Sequence, residues 1–234
     1  MKLGGIAGLT PLQQQAAPLR NKIIVALRNA VESGMLAPGT RLVEKDLCEQ
    51  LGVSRTSLRE ALRELQADGI LEQTSSRSLA VSAISMGDAE NAYRIRSVLE
   101  ALVVEQFIEN ASEADLARLV DDAETLKRAY RSGAVDRMLT AKREFYDRIC
   151  TGAANPIAFD IINRLVLRTS SLRSRSLARK ERQQQSVREI TALVEAVRRR
   201  DVGAARAAAM EHVESSARSA QAIFADPKAR RAAG

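Results

Sequence analysis

Apolar residues recur at helical spacing from the first twenty positions onward. After Pro18, a residue suited to a first helical turn, Leu19, Ile23, Leu27 and Val31 fall on one face, and Ser33-Gly34 closes the segment. Ala37-Pro38-Gly39-Thr40 reads as a turn. Leu47 and Leu51 then lie one turn apart, and Leu58, Ala61, Leu62 and Leu65 form a single stripe. Between these two patterns Gly52 suits a left-handed helix end, Val53 fills a corner and Ser54 is a good N-cap. A short helix, a tight turn and a longer helix are therefore predicted. Past Gly69 the pattern shifts to short runs, Ile70–Gln73 and Leu79–Val81, which pair as two strands around residues 74–78. Three helices and a β wing make a winged helix-turn-helix over residues 18–83, preceded by a flexible arm at 1–17.

From residue 86 the helical period persists to the end of the patterned sequence. Ser85 and Ser112 each stand three residues before an Asp, the mark of a capping box, and open helices running to about Asn110 and to Arg131. A third helix spans Val135 to Cys150, and Asn155-Pro156 supplies N-cap and first position for a fourth reaching about Leu172. A fifth covers about Gln184–Arg199 and a sixth Val202–Phe224, while residues 226–234 carry no amphipathic pattern and are expected to be a disordered tail. The fold class is mainly α, with the winged domain followed at 86–225 by an all-helical antiparallel bundle of about six helices.

Polar residues add chemistry to this frame. Arg55, Arg59 and Arg63 recur every four residues beside the buried stripe of the second helix of the turn, an outward row that fits a DNA major groove. Arg55 stands where a bidentate contact to guanine or a phosphate clamp is made, and Thr56 in the first turn can reach a phosphate. Net charge is +7, yet the first 85 residues hold ten basic against eight acidic side chains. DNA binding there rests on where charge is placed, which argues against a sequence-indifferent architectural protein.

The core must be aliphatic, since aromatic residues make up 3% of the chain and Trp is absent. Cys48 and Cys150 share no C-x-x-C spacing, so two free thiols in a reducing cytoplasm are expected. No stretch approaches the ~18 apolar residues of a membrane span, and no signal-peptide pattern opens the chain. The chain holds a single His and no G-x-S-x-G, P-loop or Rossmann fingerprint, so an enzyme fused to a DNA-binding module is poorly supplied and no enzymatic activity is expected.

The turn Met35-Leu-Ala-Pro-Gly-Thr-Arg-Leu42, the core Leu51-Gly-Val-Ser-Arg-Thr-Ser-Leu-Arg-Glu-Ala-Leu-Arg-Glu-Leu65 and the wing approach Asp68-Gly-Ile-Leu-Glu72 together resemble the GntR family of bacterial transcription regulators. Arg94–Leu102, Asn155-Pro156 and Glu189–Asp201 resemble its FadR-like subfamily, whose C-terminal ligand-binding (FCD) domain is all helical. The resemblance implies a homodimer on a palindromic double-stranded operator, more often a repressor, that responds to a small organic acid. It also implies that Lys45, Arg55 and Arg59 contact groove and phosphates, with Arg77 at the wing tip. Ser78 replaces the Gly that the family usually has after that basic residue.

Members of the subfamily often hold a metal through an Asp and three His. The matching positions here are Lys142, Tyr146, Ile190 and His212, so no metal cofactor is expected. Lys142 nonetheless interrupts the apolar stripe of its helix between Met138 and Phe145, and an inward ammonium requires compensation. Two readings stand open. Arg96, Lys142, Tyr146 and His212 converge on an effector pocket that holds an anion directly; or Lys142 snorkels or pairs with a carboxylate such as Glu100, and His212 is a satisfied core residue. The basic run from Arg164 to Arg182 is open to lining the same pocket, facing DNA or forming a solvated linker, and most of it reads as solvated.

Overall fold

The computed structural model describes residues 17–75 and 78–225. The expected N-terminal arm (apart from Ala17), the tail after residue 225 and Arg77 at the wing tip lie outside them. Helix α1 (Ala17–Glu32) buries Ile23, Ile24, Leu27 and Val31, whereas Leu19, expected on that face, is 42% exposed. It packs against α3. Helix α2 (Glu44–Leu51) ends at Gly52, whose φ of +62° lets its N–H return to Cys48. Helix α3 (Arg55–Ala67) starts under Ser54, whose hydroxyl accepts from the Ser57 N–H at 3.2 Å. Leu58, Ala61, Leu62 and Leu65 are its buried stripe.

The two wing strands form as the alternation predicts, β2 (Leu71–Gln73) antiparallel to β3 (Leu79–Val81). A third strand, β1 (Arg41–Leu42), completes a sheet in the order β1-β3-β2. Two residues give no alternation to read, which is why β1 escapes the sequence. Gly39, at φ +83°, turns the chain so that its N–H meets the Val81 carbonyl at 2.8 Å. Ser78 closes the wing base. Its carbonyl accepts from the Thr74 N–H at 2.8 Å, and its hydroxyl lies 2.8 Å from that of Thr74.

The C-terminal domain has seven helices among the described residues, not about six. They are α4 (Met86–Asn110), α5 (Glu113–Ser132), α6 (Val135–Gly152), α7 (Pro156–Arg168), α8 (Ser170–Leu177), α9 (Lys180–Arg198) and α10 (Val202–Ala225). The expected fourth helix stops at Arg168, where the buried Thr169 leaves helical geometry as the C-cap (φ −99°, ψ +9°) with its hydroxyl 3.0 Å from the Leu165 carbonyl. The chain then starts again as α8, which buries Ser170, Leu172, Arg173, Ser174, Ser176 and Leu177. Burial of polar and apolar residues alike, with only Arg175 exposed, leaves no amphipathic stripe, so α8 is invisible to periodicity.

α10 packs along α4 and α9, α5 against α6 and α9, and α6 against α7. Gly152 allows the closest approach, since a Cβ there would lie 2.5 Å from the Phe107 ring. The two domains share a seam. Leu167 of α7 is buried in the winged-domain core, α1 packs against α8, and the Arg168 side chain covers Gly69.

Candidate functional site

On the winged domain, the α3 cap at Ser54 and the buried stripe turn Arg55, Thr56, Arg59 and Arg63 outward, and all four are exposed. Lys45, in the first turn of α2, is exposed as well. The Arg59 Nε donates to Glu44 Oε2 at 2.8 Å, a partner that the sequence reading missed. This exposed pair fixes the Arg59 guanidinium beside the α2 N-terminus and Lys45 at little energetic gain, about 0–1 kcal/mol.

In the helical domain a cavity of about 180 Å³ opens between α1, α4, α6, α7 and α8. Arg96, Lys142 and Tyr146, three of the four residues of the effector-pocket reading, line it together, and so does Arg173 from α8. Each of the two open readings is corrected at one point. Glu100 accepts from Arg96, at 2.9 Å from Nε and 2.7 Å from Nη2, and not from Lys142. His212 does not line the cavity; it stands behind Lys142, fully buried, with Nε2 at 2.9 Å from Lys142 Nζ.

A buried relay continues from there. The His212 Nδ1–H donates to Glu189 Oε2 at 2.6 Å, which leaves Nε2 bare to accept from Lys142. Glu189 also takes a bond from Arg182 Nη1 at 2.9 Å, and Arg182 Nη2 reaches Ser216 at 2.8 Å. Burial, then the Lys142 charge, brings the His212 imidazole down to about 3, against the pull of Glu189. Burial raises the Glu189 carboxyl, but its bond from His212 and the charges of His212 and Arg182 prevail and bring it down to about 2. Lys142 is pushed well below an ordinary amine by burial and by Arg173, Arg182 and Arg96. Burial likewise pushes the Cys150 thiol up to about 12, so this free cysteine of the cavity wall is a poor nucleophile.

Several buried donors lack a protein partner. Arg96 Nη1, Arg173 Nε and the Tyr146 hydroxyl have none among the described residues, and all three side chains face the cavity. An acid that entered would find ready donors.

The residues at the metal positions implied by the resemblance do not fit a metal ion. Ile190 is apolar and fully buried in the core, and the one imidazole nitrogen facing Lys142 is already taken by its Nζ. Among the described residues no cluster of three or more His, Cys, Asp and Glu is placed to hold one.

Glu189 is the buried polar residue that sequence reading missed, and that reading places Arg173 and Arg182 no more closely than within the basic run. Arg182 and Glu189 did leave a signal: they lie two turns apart on the buried face that also carries Ser186, Ile190 and Leu193. Of the basic run, Arg173 and Arg182 are buried, which corrects the solvated reading for those two; Arg164, Arg168, Arg175, Arg179 and Lys180 are exposed.

Residues 19–81 match the family of bacterial regulatory proteins termed gntR, and residues 91–215 match the FCD domain. The chain belongs to the GntR family, with an FCD domain as its helical half. The HTH-type transcriptional regulator McbR of Escherichia coli K12 is 32% identical over 142 residues, which span 61% of this chain and 64% of McbR. YdhC of Bacillus subtilis is 31% identical over 122 residues, 52% of this chain and 54% of its own length. The chain thus spans less than two thirds of these two relatives. The repressor RspR of Escherichia coli K12 aligns more fully, at 24% identity over 88% of this chain and 90% of its own. The solved structure of McbR superposes with a TM-score of 0.81 at 25% identity, covering 88% of this chain and 98% of that one. Within the described residues of this GntR-family chain, no helix is long and apolar enough to cross a membrane.

Proposed function

We propose that this GntR-family regulator is a cytoplasmic repressor that binds a palindromic operator as a homodimer and responds to a small organic acid in its FCD domain. The observation that carries this reading is the exposed row Arg55, Arg59 and Arg63 on a capped helix of a domain whose charge is otherwise nearly balanced. In that setting the row is a set of placed contacts: Arg55 and Thr56 at the helix start reach base edges and phosphates, Arg63 serves the flanking phosphates, and Lys45 and Arg59 hold the backbone from the α2 side. The family resemblance adds Arg77 to these contacts. A relative named as a repressor aligns along most of the chain and supports the sign of regulation.

The acid is read by Arg96, Lys142, Arg173 and Tyr146 around the cavity, with His212 positioning Lys142 from behind. Charged side chains alone supply this binding, without a metal. Two apolar faces support the dimer: Ile95 and Val98 on α4 and Ile157 and Ile161 on α7 are exposed on helices that pack together. Ligand binding alters the spacing or freedom of the paired recognition helices, which must meet half-sites about one DNA turn apart.

The test uses DNA fragments that the wild-type chain selects from a random pool. Arg55→Ala/Arg59→Ala abolishes their retardation in a gel while leaving thermal unfolding unchanged. Retained sequence-specific binding by the folded double variant would sink the assignment. Val98→Glu is expected to yield monomers in light scattering.

A further inference from the structure

The cavity is not walled by the FCD domain alone. Val25, Arg28, Asn29 and Glu32 of α1, all in the DNA-binding domain, form one side of it. Glu32 is only 6% exposed, and its carboxylate is held by Arg143 of α6, whose guanidinium also lies 3.4 Å from the Asn29 side-chain oxygen. The winged domain therefore places an acidic side chain of its own against a cationic cavity.

The pairing pattern defines what is missing. Of the five cations on the wall, Arg28 is paired with Asp68, Arg96 with Glu100 and Arg143 with Glu32. Lys142 meets neutral His212 and the face of the Tyr146 ring, 5.9 Å from its centroid, and neither it nor Arg173, 8% exposed, has a carboxylate within ion-pair distance among the described residues. Two buried cations thus lack a counter-charge of their own. Glu32 is among the groups whose field helps Arg173 to keep its charge, after burial and Arg96 have worked against it.

We propose that a small dianionic acid, held between Lys142 and Arg173, is sensed across the domain seam by Glu32 of α1 and loosens α1 from the FCD domain. This rests on the effector reading of the cavity given above. The volume, about 180 Å³ or roughly six waters' worth, suits a short dicarboxylate or a phosphate rather than a cofactor-sized molecule. Once the ligand neutralises Arg173, Glu32 loses that attraction and faces a new like charge. Asp147, which also lines the cavity and whose carboxyl is raised by burial, adds to the repulsion when ionised. Because α1 also packs on α3, the recognition helix, weakening the seam at α1 reaches the DNA-contacting arginines through one helix. Linkage makes the effect reciprocal: a chain that lacks the Glu32 charge must bind the dianion more tightly.

The experiment titrates the full chain by calorimetry with malonate, succinate and inorganic phosphate, with acetate as the monoanion control. Amide exchange over residues 17–32 is followed in parallel. At least one dianion is expected to bind more tightly than acetate, and Arg173→Met to abolish that binding. Exchange in α1 should rise severalfold with the dianion bound. Glu32→Gln should bind the same probe about five- to tenfold more tightly, as removal of one nearby like charge implies, and its α1 exchange should no longer respond. Arg143→Gln, which frees Glu32 without removing its charge, should exchange rapidly in α1 before any probe is added.

Arg173-dependent binding with unchanged α1 exchange and unchanged affinity in Glu32→Gln overturns the inference and leaves the effector reading standing. No dianion binding, or binding indifferent to Arg173→Met, overturns both.

Discussion

In the winged domain the charged side chains, apart from Glu32 at the seam, stand outside an apolar core, whereas the FCD domain folds around Arg96, Glu100, Lys142, Arg182, Glu189 and His212. The outward set has few partners, so its members are separable: each can be removed without asking the fold for compensation. The inward set is a chain of mutual dependence, in which Lys142 leans on His212, His212 on Glu189, and Glu189 on Arg182. Function and stability are thus independent variables in one half and coupled in the other.

The sharpest way to break this contrast is Glu189→Ala. It leaves Arg182 and the His212 N–H without their acceptor, and a loss of about 3–5 kcal/mol in chemical denaturation is expected, against a change within about 0.5 kcal/mol for Arg55→Ala. Equal losses at both sites would dissolve the distinction.

Acid should reveal the same asymmetry. His212 is held near 3 in the folded chain, so below its ordinary 6.5 the unfolded state takes up a proton that the folded state refuses. Stability then falls as pH drops from 6.5 toward 3, at up to about 1.4 kcal/mol per pH unit for one proton. Glu189, ordinarily 4.5 and held at about 2, steepens the loss below 4.5. Denaturant midpoints taken from pH 7 to 5 should decline in the wild type and less so in His212→Asn.

Lys142→Met separates the two roles of the inward set. It removes a desolvated ammonium and fills most of its volume, so stability is expected to stay level or rise by about 1–2 kcal/mol while anion binding is lost. A large destabilisation would make Lys142 a structural group only. The smallest expected effect is that of Glu44→Gln. It frees exposed Arg59 at a cost of no more than about 1 kcal/mol, and it should strengthen DNA binding in low-salt titrations by removing a negative charge beside the contact surface.

How far each half is legible in the sequence follows from the same contrast. The outward arginines sit beside an unbroken apolar stripe, so a four-residue spacing suffices to place them. Lys142 was legible for the opposite reason, as one polar residue interrupting an apolar face. Arg173 does not stand out from its basic run, because α8 buries polar and apolar residues alike and its SSLRSRSL sequence offers no stripe to interrupt. Glu100's partner follows from a spacing that the sequence does carry: Glu100 lies one turn from Arg96 on the same helix, and that local pair takes precedence over a contact with Lys142 between helices. Ser78, a departure from the family pattern, has a local use in bonding to Thr74 at the wing base.

Leu167 bears on what an engineer may transplant. It belongs by sequence to the effector half, yet it fills a place in the core of the reading head. A chimera spliced between residues 81 and 86, joining this winged domain to another relative's sensor, would carry an unfilled socket unless the donor supplies a side chain of similar size from its own seventh helix. Compatibility of such hybrids should therefore follow that one position more closely than overall sequence identity.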